Sequence, residues 1–122
     1  MNAGDISSAP YMGAGTKVRS WVAIARLQFF PMAFIAYSMG AVAAFKTEGS
    51  FSIPVYLIGY MALFLIELCT IMVNEYHDYE SDRLNRNYSM FTGGSRVLVD
   101  GKLTFREVRI GIGVVLSLTI LV

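Results

Sequence analysis

The chain has 122 residues, a formal net charge of +1, 55% hydrophobic residues and a mean hydropathy of +0.53. A soluble domain of this size disperses its apolar residues at helix or strand period, whereas here they come in long blocks. The single cysteine, Cys69, excludes a disulfide framework. We predict a lipid-bilayer partner and no nucleic-acid partner.

Three apolar blocks organise the chain. Residues 29–45 contain no charged residue, residues 51–73 contain only Glu67, and residues 110–122 contain none. A bilayer core takes about 20 apolar residues to cross, and the first two blocks reach that length with their flanks. The third block spans only about 20 Å at 1.5 Å per residue. The pattern predicts an all-α membrane protein with two full transmembrane helices plus the start of a third.

The short third block predicts that the chain is the N-terminal piece of a longer membrane protein, or a degraded gene product. We expect a disordered cytoplasmic tail over residues 1–20, because its first ten residues are small and polar and lack the apolar core of a secretory signal. The predicted helices cover about 21–45, 53–82 and 104–122, and a loop covers 83–103.

Local signals mark where these helices begin. Pro31 lies near the start of the first apolar block, where a missing N–H costs least, and marks either a first-turn boundary or a kink. Pro54 opens the second helix at a first-turn position. Thr104 is followed three residues later by Glu107, which predicts a capping box for the third helix.

Lysine and arginine are distributed unequally among the flanks and loops. Three precede the first apolar block, one separates the first two blocks, and six separate the second and third. In chain order they are Lys17, Arg19, Arg26; Lys46; Arg83, Arg86, Arg96, Lys102, Arg106 and Arg109. The excess predicts a cytoplasmic N-terminus and a cytoplasmic loop 83–103. We therefore expect a multi-pass protein of the cell (inner) membrane.

An acidic stretch, residues 74–82, directly follows the second apolar block. Its nine residues hold four carboxylates, one amide and the only histidine. If the helix continues through it, Asn74, Asp78 and Asp82 lie at i, i+4 and i+8 on one face. Carboxylates this close repel one another unless a cation lies among them. The spacing therefore predicts a metal site.

Arginines and glycines follow the acidic stretch. Arg83, Arg86 and Arg96 lie in the next loop with Gly93 and Gly94, whose backbone can approach an anion closely. A metal ion above carboxylates, with guanidinium groups beside it, is what a diphosphate requires. We refer to residues 93–96 as the glycine loop.

Three features of the sequence occur together in one known family. They are Asn74-x-x-x-Asp78-x-x-x-Asp82 at the end of the second membrane helix, Gly93-Gly94-Ser95-Arg96-Val97-Leu98, and Gly101-Lys102-Leu103. With them, residues 21–122 resemble the UbiA superfamily of intramembrane aromatic prenyltransferases, closest to the MenA-like members that prenylate dihydroxynaphthoate in menaquinone synthesis. The segment from Trp21 to Arg26 also looks like the family's first helix, although Leu27 stands where the family has proline.

The resemblance implies transfer of a polyprenyl group from polyprenyl diphosphate to an aromatic acceptor, with Mg²⁺ as cofactor. It implies a parent bundle of about nine membrane helices. The positions it carries over are Asn74, Asp78 and Asp82 as catalytic metal ligands, and Arg26, Arg83, Arg86 and Arg96 as diphosphate contacts. Each arginine is equally well explained as a positive-inside anchor. The family's second Asp-rich motif lies on a later helix, so we expect this chain alone to be inactive.

Four other polar residues have simpler interpretations. Glu75 and Glu80 point off the Asn74 face, and we expect both to be solvated. His77 is expected to face the membrane interface. Glu67 lies inside the second apolar block, where a carboxylate either lines a substrate cavity or stays protonated against a neighbouring helix. Both interpretations of Glu67 remain open at this point.

Two other function classes fit parts of the pattern. A cation transporter segment would use Glu67 with the Asn74, Asp78 and Asp82 set as an ion path. The arginines of the following loop argue against it, because a cation path would not gather cations at its mouth. A non-catalytic membrane anchor with an acidic surface would need no such spacing.

Overall fold

The computed structural model describes residues 13–89 and 91–122. Within these ranges the chain is helical and contains no strand. The α-helices are α1 (Ala14–Ala25), α2 (Phe30–Glu48), α3 (Ile53–His77), α4 (Tyr79–Leu84) and α5 (Phe105–Leu121), with a 3₁₀ turn at Leu27–Phe29. The all-α prediction is confirmed for this part of the chain.

The first helix begins earlier than the sequence predicts. α1 starts at Ala14, so residues 14–20, which we expected in the disordered tail, are helical. The added turns are tied down because Lys17 Nζ lies 2.6 Å from Glu107 Oε1 at the start of α5. Residues 1–12 of the expected tail lie outside the described residues.

The helix predicted over 21–45 is two helices. α1 ends where Arg26 takes a left-handed conformation with φ 47°. Pro31 lies in the first turn of α2, as predicted, where no intrahelical bond depends on its missing N–H. In an unbroken helix that position would bond to the Leu27 carbonyl, so proline favours the interruption. α2 then continues to Glu48.

α2 and α3 form an antiparallel pair joined by a short turn. Gly49 closes α2 in the left-handed conformation with φ 68°, and Pro54 opens α3 in its first turn, as predicted. The Tyr37 hydroxyl donates to the Tyr56 carbonyl at 3.0 Å. Gly59 lies against the Tyr37 ring, where a Cβ would not fit. The small residue therefore lets the two helices approach closely.

The helix predicted over 53–82 bends instead of running straight. α3 ends at His77, Asp78 has φ −82° and ψ 2°, and the six-residue α4 follows. Backbone bonds nevertheless persist across the bend, from Asp78 N to Asn74 O and from Asp82 N to Asp78 O, both at 2.8 Å. The four-residue register of the acidic stretch is therefore preserved.

The core lies at the His77 end of α3. α5 packs against α3, and α3 also packs against α1. Its buried apolar residues are Ile24, Met72, Val97, Leu98, Leu103 and Val108. Gly111 of α5 has no room for a Cβ, because Met72 and Trp21 occupy that space. Half of the core comes from residues 97–103, so the second half of the predicted loop packs against the helices.

The predicted capping box at the start of α5 is confirmed. Thr104 N donates to Glu107 Oε2 at 2.7 Å, and Glu107 N donates to Thr104 Oγ1 at 3.2 Å. α5 spans Phe105–Leu121, one residue inside the predicted 104–122 at each end. Glu107 thus serves both the cap and the contact with α1.

Two helical segments are long and apolar enough to cross a membrane by length and composition. They are Ala14–Glu48, counted through its turn, and Ile53–His77. Only 6% and 11% of their most apolar windows are buried. Met32 is 76% exposed and Val55 is 68% exposed. Continuous apolar surface of this kind is covered by lipid or by further protein.

Candidate functional site

The Asn74 face of α3 lines a small cavity of about 90 Å³, which we call the acid cavity. Its lining residues are Arg26, Phe29, Ile71, Asn74, Glu75, Asp78, Asp82 and Gly94. The fold therefore brings together the three residues that the sequence picks out as metal ligands. Asp82 is buried at 8% exposure, whereas Asn74 and Asp78 are exposed.

Asp82 lies among charges of both signs. Burial raises the pKa of the Asp82 carboxyl above its ordinary value, and the negative charges of Glu75 and Asp78 raise that pKa further. The guanidinium groups of Arg26 and Arg96 act in the opposite direction. A cation bound in the acid cavity would likewise favour the ionised carboxylate.

The expectation that Glu75 is solvated is wrong. Glu75 is only 5% exposed, and its carboxylate accepts hydrogen bonds from the Ser95 backbone N at 3.0 and 2.9 Å and from the Ser95 hydroxyl. The inward face of α3 and α4 recurs in steps of four and three residues: Leu68, Met72, Glu75, Tyr79 and Asp82. This helical period was visible in the sequence and could have placed Glu75 and Asp82 on the core side.

The glycine loop passes directly over these carboxylates. Gly93 and Gly94 have φ of 81° and 69°, and Arg96 has φ of 58°. A Cβ on Gly94 would overlap the Asp82 Oδ2 atom and crowd Glu75 Oε2. Only glycine combines this backbone conformation with so close an approach.

Arg26 reaches the acid cavity because α1 ends at that residue. Its Nη2 atom donates to the Phe91 carbonyl at 3.2 Å, and its guanidinium lies 4.7 Å from the centre of the Phe29 ring. Because arginine carries five N–H groups, the Arg26 guanidinium still has donors available for a further anion.

Arg96 is held more tightly than Arg26. Its Nη1 atom donates to the carbonyls of Asp82 and Asn85 at 2.9 and 3.4 Å. Its guanidinium lies 4.2 Å from the centre of the Tyr88 ring, and Nε lies 3.7 Å from Asp100 Oδ1. Arg96 thereby ties the glycine loop to the end of α4.

Arg83 and Arg86 lie outside the site. Arg83 is exposed, and its Nη2 atom lies 3.2 Å from Glu80 Oε2. Glu80 is also exposed, which confirms the prediction that it is solvated. Arg86 is also exposed. One residue along a helix turns the side chain by about 100°, so Arg83 points away when Asp82 points inward. Neither arginine lines the acid cavity or the larger cavity beside it.

That larger cavity has a volume of about 680 Å³ and is rich in cations; we call it the basic cavity. Its charged lining residues are Arg26, Arg96, Lys102 and Asp100. It shares Arg26 and Gly94 with the acid cavity, so the two are neighbours. Lys102 was not assigned a role from the sequence. Its position follows from the buried Leu103 beside it, which fixes this part of the chain in the core.

Asn74, Asp78 and Asp82 are the residues of the acid cavity that could hold a metal ion. Among residues 13–89 and 91–122, no three His, Cys, Asp or Glu side chains form a ready metal site. The acid cavity instead offers the Asn74 amide with the Asp78 and Asp82 carboxylates. Mg²⁺ is commonly held by one or two carboxylates, waters and substrate phosphate oxygens. The residues therefore fit a metal ion that binds together with a phosphate ligand.

Glu67 and His77 do not join this site. Glu67 is half-buried on α3 but does not line the acid cavity. His77 is exposed, and its ring contacts Tyr76 edge-on at a centroid distance of 5.3 Å.

No protein-family model, curated protein or solved structure matches the chain.

Proposed function

We propose that this chain belongs to a membrane prenyltransferase that moves a polyprenyl group from its diphosphate to an aromatic acceptor, as in menaquinone-like quinone synthesis. The observation that carries the proposal is the meeting of the acid and basic cavities at Arg26 and Gly94. A carboxylate and amide set beside a cationic cavity is suited to a metal diphosphate.

The basic cavity supplies the anion-binding side of the proposed site. Arg26 and Arg96 present guanidinium groups, and Lys102 adds an ammonium group that Asp100 holds at 2.9 Å. Guanidinium groups bind phosphate oxygens in pairs, whereas an ammonium acts as a point charge. The cavity is large enough for a diphosphate and leaves room for the start of the prenyl chain.

Asn74, Asp78 and Asp82 supply the metal-binding side. Bound Mg²⁺ would neutralise the leaving diphosphate, so that positive charge can develop on the allylic carbon. Phe29 and Ile71 line the acid cavity with apolar surface on the side of the long helices. Apolar walls of this kind limit the access of water to a reactive cation.

The proposed orientation follows the positive-inside distribution. Both cavities lie at the end of α3 that carries the loop with most of the arginines, so we place them at the cytoplasmic face of the cell membrane, together with the N-terminus. Polyprenyl diphosphate and an aromatic acceptor would then meet at that face.

A cation transporter segment is the alternative. It would need Glu67 to continue the ion path from the acid cavity, but Glu67 does not line that cavity and Arg26 does. A guanidinium at the entrance opposes a passing cation, which favours the prenyltransferase. A non-catalytic anchor provides no reason for the glycine loop to pack over Asp82.

The deciding experiment substitutes Asp78→Asn in the complete protein that contains this chain. We expect Mg²⁺-dependent prenyl transfer in liposomes to fall by roughly 100-fold or more, because the exposed carboxylate is replaced by a neutral group of the same shape. Glu80→Gln is the matched control, since Glu80 is exposed and lies outside both cavities. Unchanged turnover in Asp78→Asn contradicts the proposal, and Mg²⁺-independent ion flux through the wild type would favour the transporter.

A further inference from the structure

We propose that Glu75 is a positioning residue that holds the glycine loop against α3 and so fixes where the loop meets the diphosphate. This inference rests on the proposed function for its link to substrate. The holding contact itself is a feature of the fold and can be tested separately.

The contact uses both oxygens of the carboxylate. The Ser95 backbone N lies 3.0 Å from Oε1 and 2.9 Å from Oε2, and the Ser95 hydroxyl donates to Oε1. The same hydroxyl accepts from Val97 N at 3.3 Å. Hydrogen bonds to a charged, buried group are stronger than neutral ones. Glu75 therefore anchors the glycine loop at Ser95, and the Ser95 hydroxyl links this contact to Val97.

The segment that Glu75 holds contains residues that line the two cavities. Gly94 precedes Ser95 and forms part of both cavity walls, and Arg96 follows it and lines the basic cavity. Arg96 has a left-handed backbone, which costs a non-glycine residue about 1–2 kcal/mol. Such a conformation persists only when surrounding contacts determine it. The contact of Glu75 with Ser95 on one side and the buried Val97 on the other hold Arg96 in this conformation.

Glu75 is suited to this task rather than to metal binding. It is 5% exposed, and both of its oxygens already accept hydrogen bonds from Ser95. The neighbouring Asn74 and Asp78 are exposed. The Ser95 N–H already donates to Glu75, so it does not donate directly to a substrate phosphate.

The first test measures backbone amide hydrogen exchange in the complete protein without substrate. We expect Glu75→Gln to speed exchange at residues 95–97 by about 10-fold or more, because a charged hydrogen bond is lost. Glu80→Gln is the matched control and should leave those amides unchanged. Unchanged exchange in Glu75→Gln overturns the proposal.

A second variant covers the case in which Glu75→Gln does not fold. Ser95→Ala removes the hydroxyl that donates to Glu75 Oε1 and keeps the backbone N–H donor, so we expect moderately faster exchange at residue 95 as well as faster exchange at Val97. The matched control is Ser81→Ala, at an exposed position on α4. Exchange at residue 95 that is equal in both serine variants overturns the proposal.

The third measurement separates positioning from simple stability by comparing KM with kcat. We expect Glu75→Gln to raise KM for polyprenyl diphosphate by about 10-fold, with KM for the acceptor unchanged and partial recovery in Glu75→Asp. A merely destabilised enzyme would lose kcat with both KM values intact, and that result overturns the proposal. If the wild type transfers no prenyl group, the proposed function fails, while the exchange experiments still decide whether Glu75 holds the loop.

Discussion

At the Ile53 end of α3, aromatic rings and hydroxyls join two helices, whereas at the His77 end charges and a glycine loop join four segments of the chain. Tyr37 packs on Tyr56 with ring centroids 5.1 Å apart, and the Ser38 and Tyr56 hydroxyls lie 2.7 Å apart. Asp82 and Gly94 meet so closely at the other end that no side chain fits between them. We therefore expect the loss of one hydroxyl at the first end to cost less than an added Cβ at the second.

Gly94→Ala should produce the largest effect, because the new Cβ overlaps the Asp82 carboxylate and the backbone is left-handed. We expect destabilisation of about 1–3 kcal/mol and loss of prenyl transfer. Gly101→Ala is the matched control, since Gly101 has φ 65° but open space around its Cβ position. Denaturant unfolding of both variants measures the difference. Equal destabilisation would show that backbone conformation alone, and not the contact with Asp82, makes Gly94 necessary.

Arg26→Ala should have the next largest effect, since Arg26 lines both cavities. We expect KM for polyprenyl diphosphate to rise by roughly 10- to 100-fold, with a smaller rise in Arg26→Lys because ammonium cannot form paired bonds. Arg83→Ala should change KM less than about 2-fold, because its exposed ion pair contributes little. Steady-state kinetics on the three variants measures these KM values. An equal change in KM for Arg26→Ala and Arg83→Ala would indicate that both arginines are membrane anchors.

The contact between α1 and α5 predicts a pH dependence of stability. The hydrogen bond from Lys17 and those from Thr104 lower the pKa of the Glu107 carboxyl from 4.5 to about 2. The ionised form stabilises the folded state fully above pH 4.5, and this contribution is lost as the pH falls towards 2. Thermal unfolding in detergent should therefore show Tm falling in this window.

Glu107→Gln should lower Tm at pH 7 and flatten its fall below pH 4.5, because the variant has no carboxyl to titrate at that position. Glu80→Gln, at an exposed site, serves as the control and should keep the wild-type profile. A Glu107→Gln profile that parallels the wild type would mean that other carboxylates govern the acid response.

Tyr56→Phe at the opposite end should have the smallest effect. It removes the hydroxyl that pairs with Ser38 and retains the ring that packs on Tyr37. We expect a loss of about 0.5–1.5 kcal/mol in the free energy of unfolding and unchanged prenyl transfer. Loss of activity in this variant would contradict the separation of function between the two ends of α3.

The sequence predicted the helices well where a local signal marks them. Pro54 and the pair Thr104 and Glu107 located the starts of α3 and α5, because capping and proline effects act within one turn. Pro31 lies in the first turn of α2, but the sequence placed it inside a helix predicted over 21–45. The end of α1 at Arg26 was not predicted, because no sequence signal marks a non-glycine residue that takes a left-handed conformation.

The candidate site was predicted in part. Asn74, Asp78 and Asp82 were placed together because a four-residue spacing is a local property of a helix. The sequence named four arginines as diphosphate contacts, and the fold places Arg26 and Arg96 in the cavity walls but not Arg83 or Arg86. Residues from α1 and the loop meet α3 only after long-range packing, which the spacing of charges along the chain does not encode.

The helical class, the two long apolar helices and the acidic face at the end of the second one can be read from the sequence, since they follow from composition and periodicity over short windows. Only the tertiary structure decided that Glu75 faces inward to Ser95, that Gly94 lies on Asp82, and that Arg26 joins them. Each of these contacts joins residues that lie about 10 or more positions apart in the chain. The packing of the core beneath them sets the geometry of the contacts.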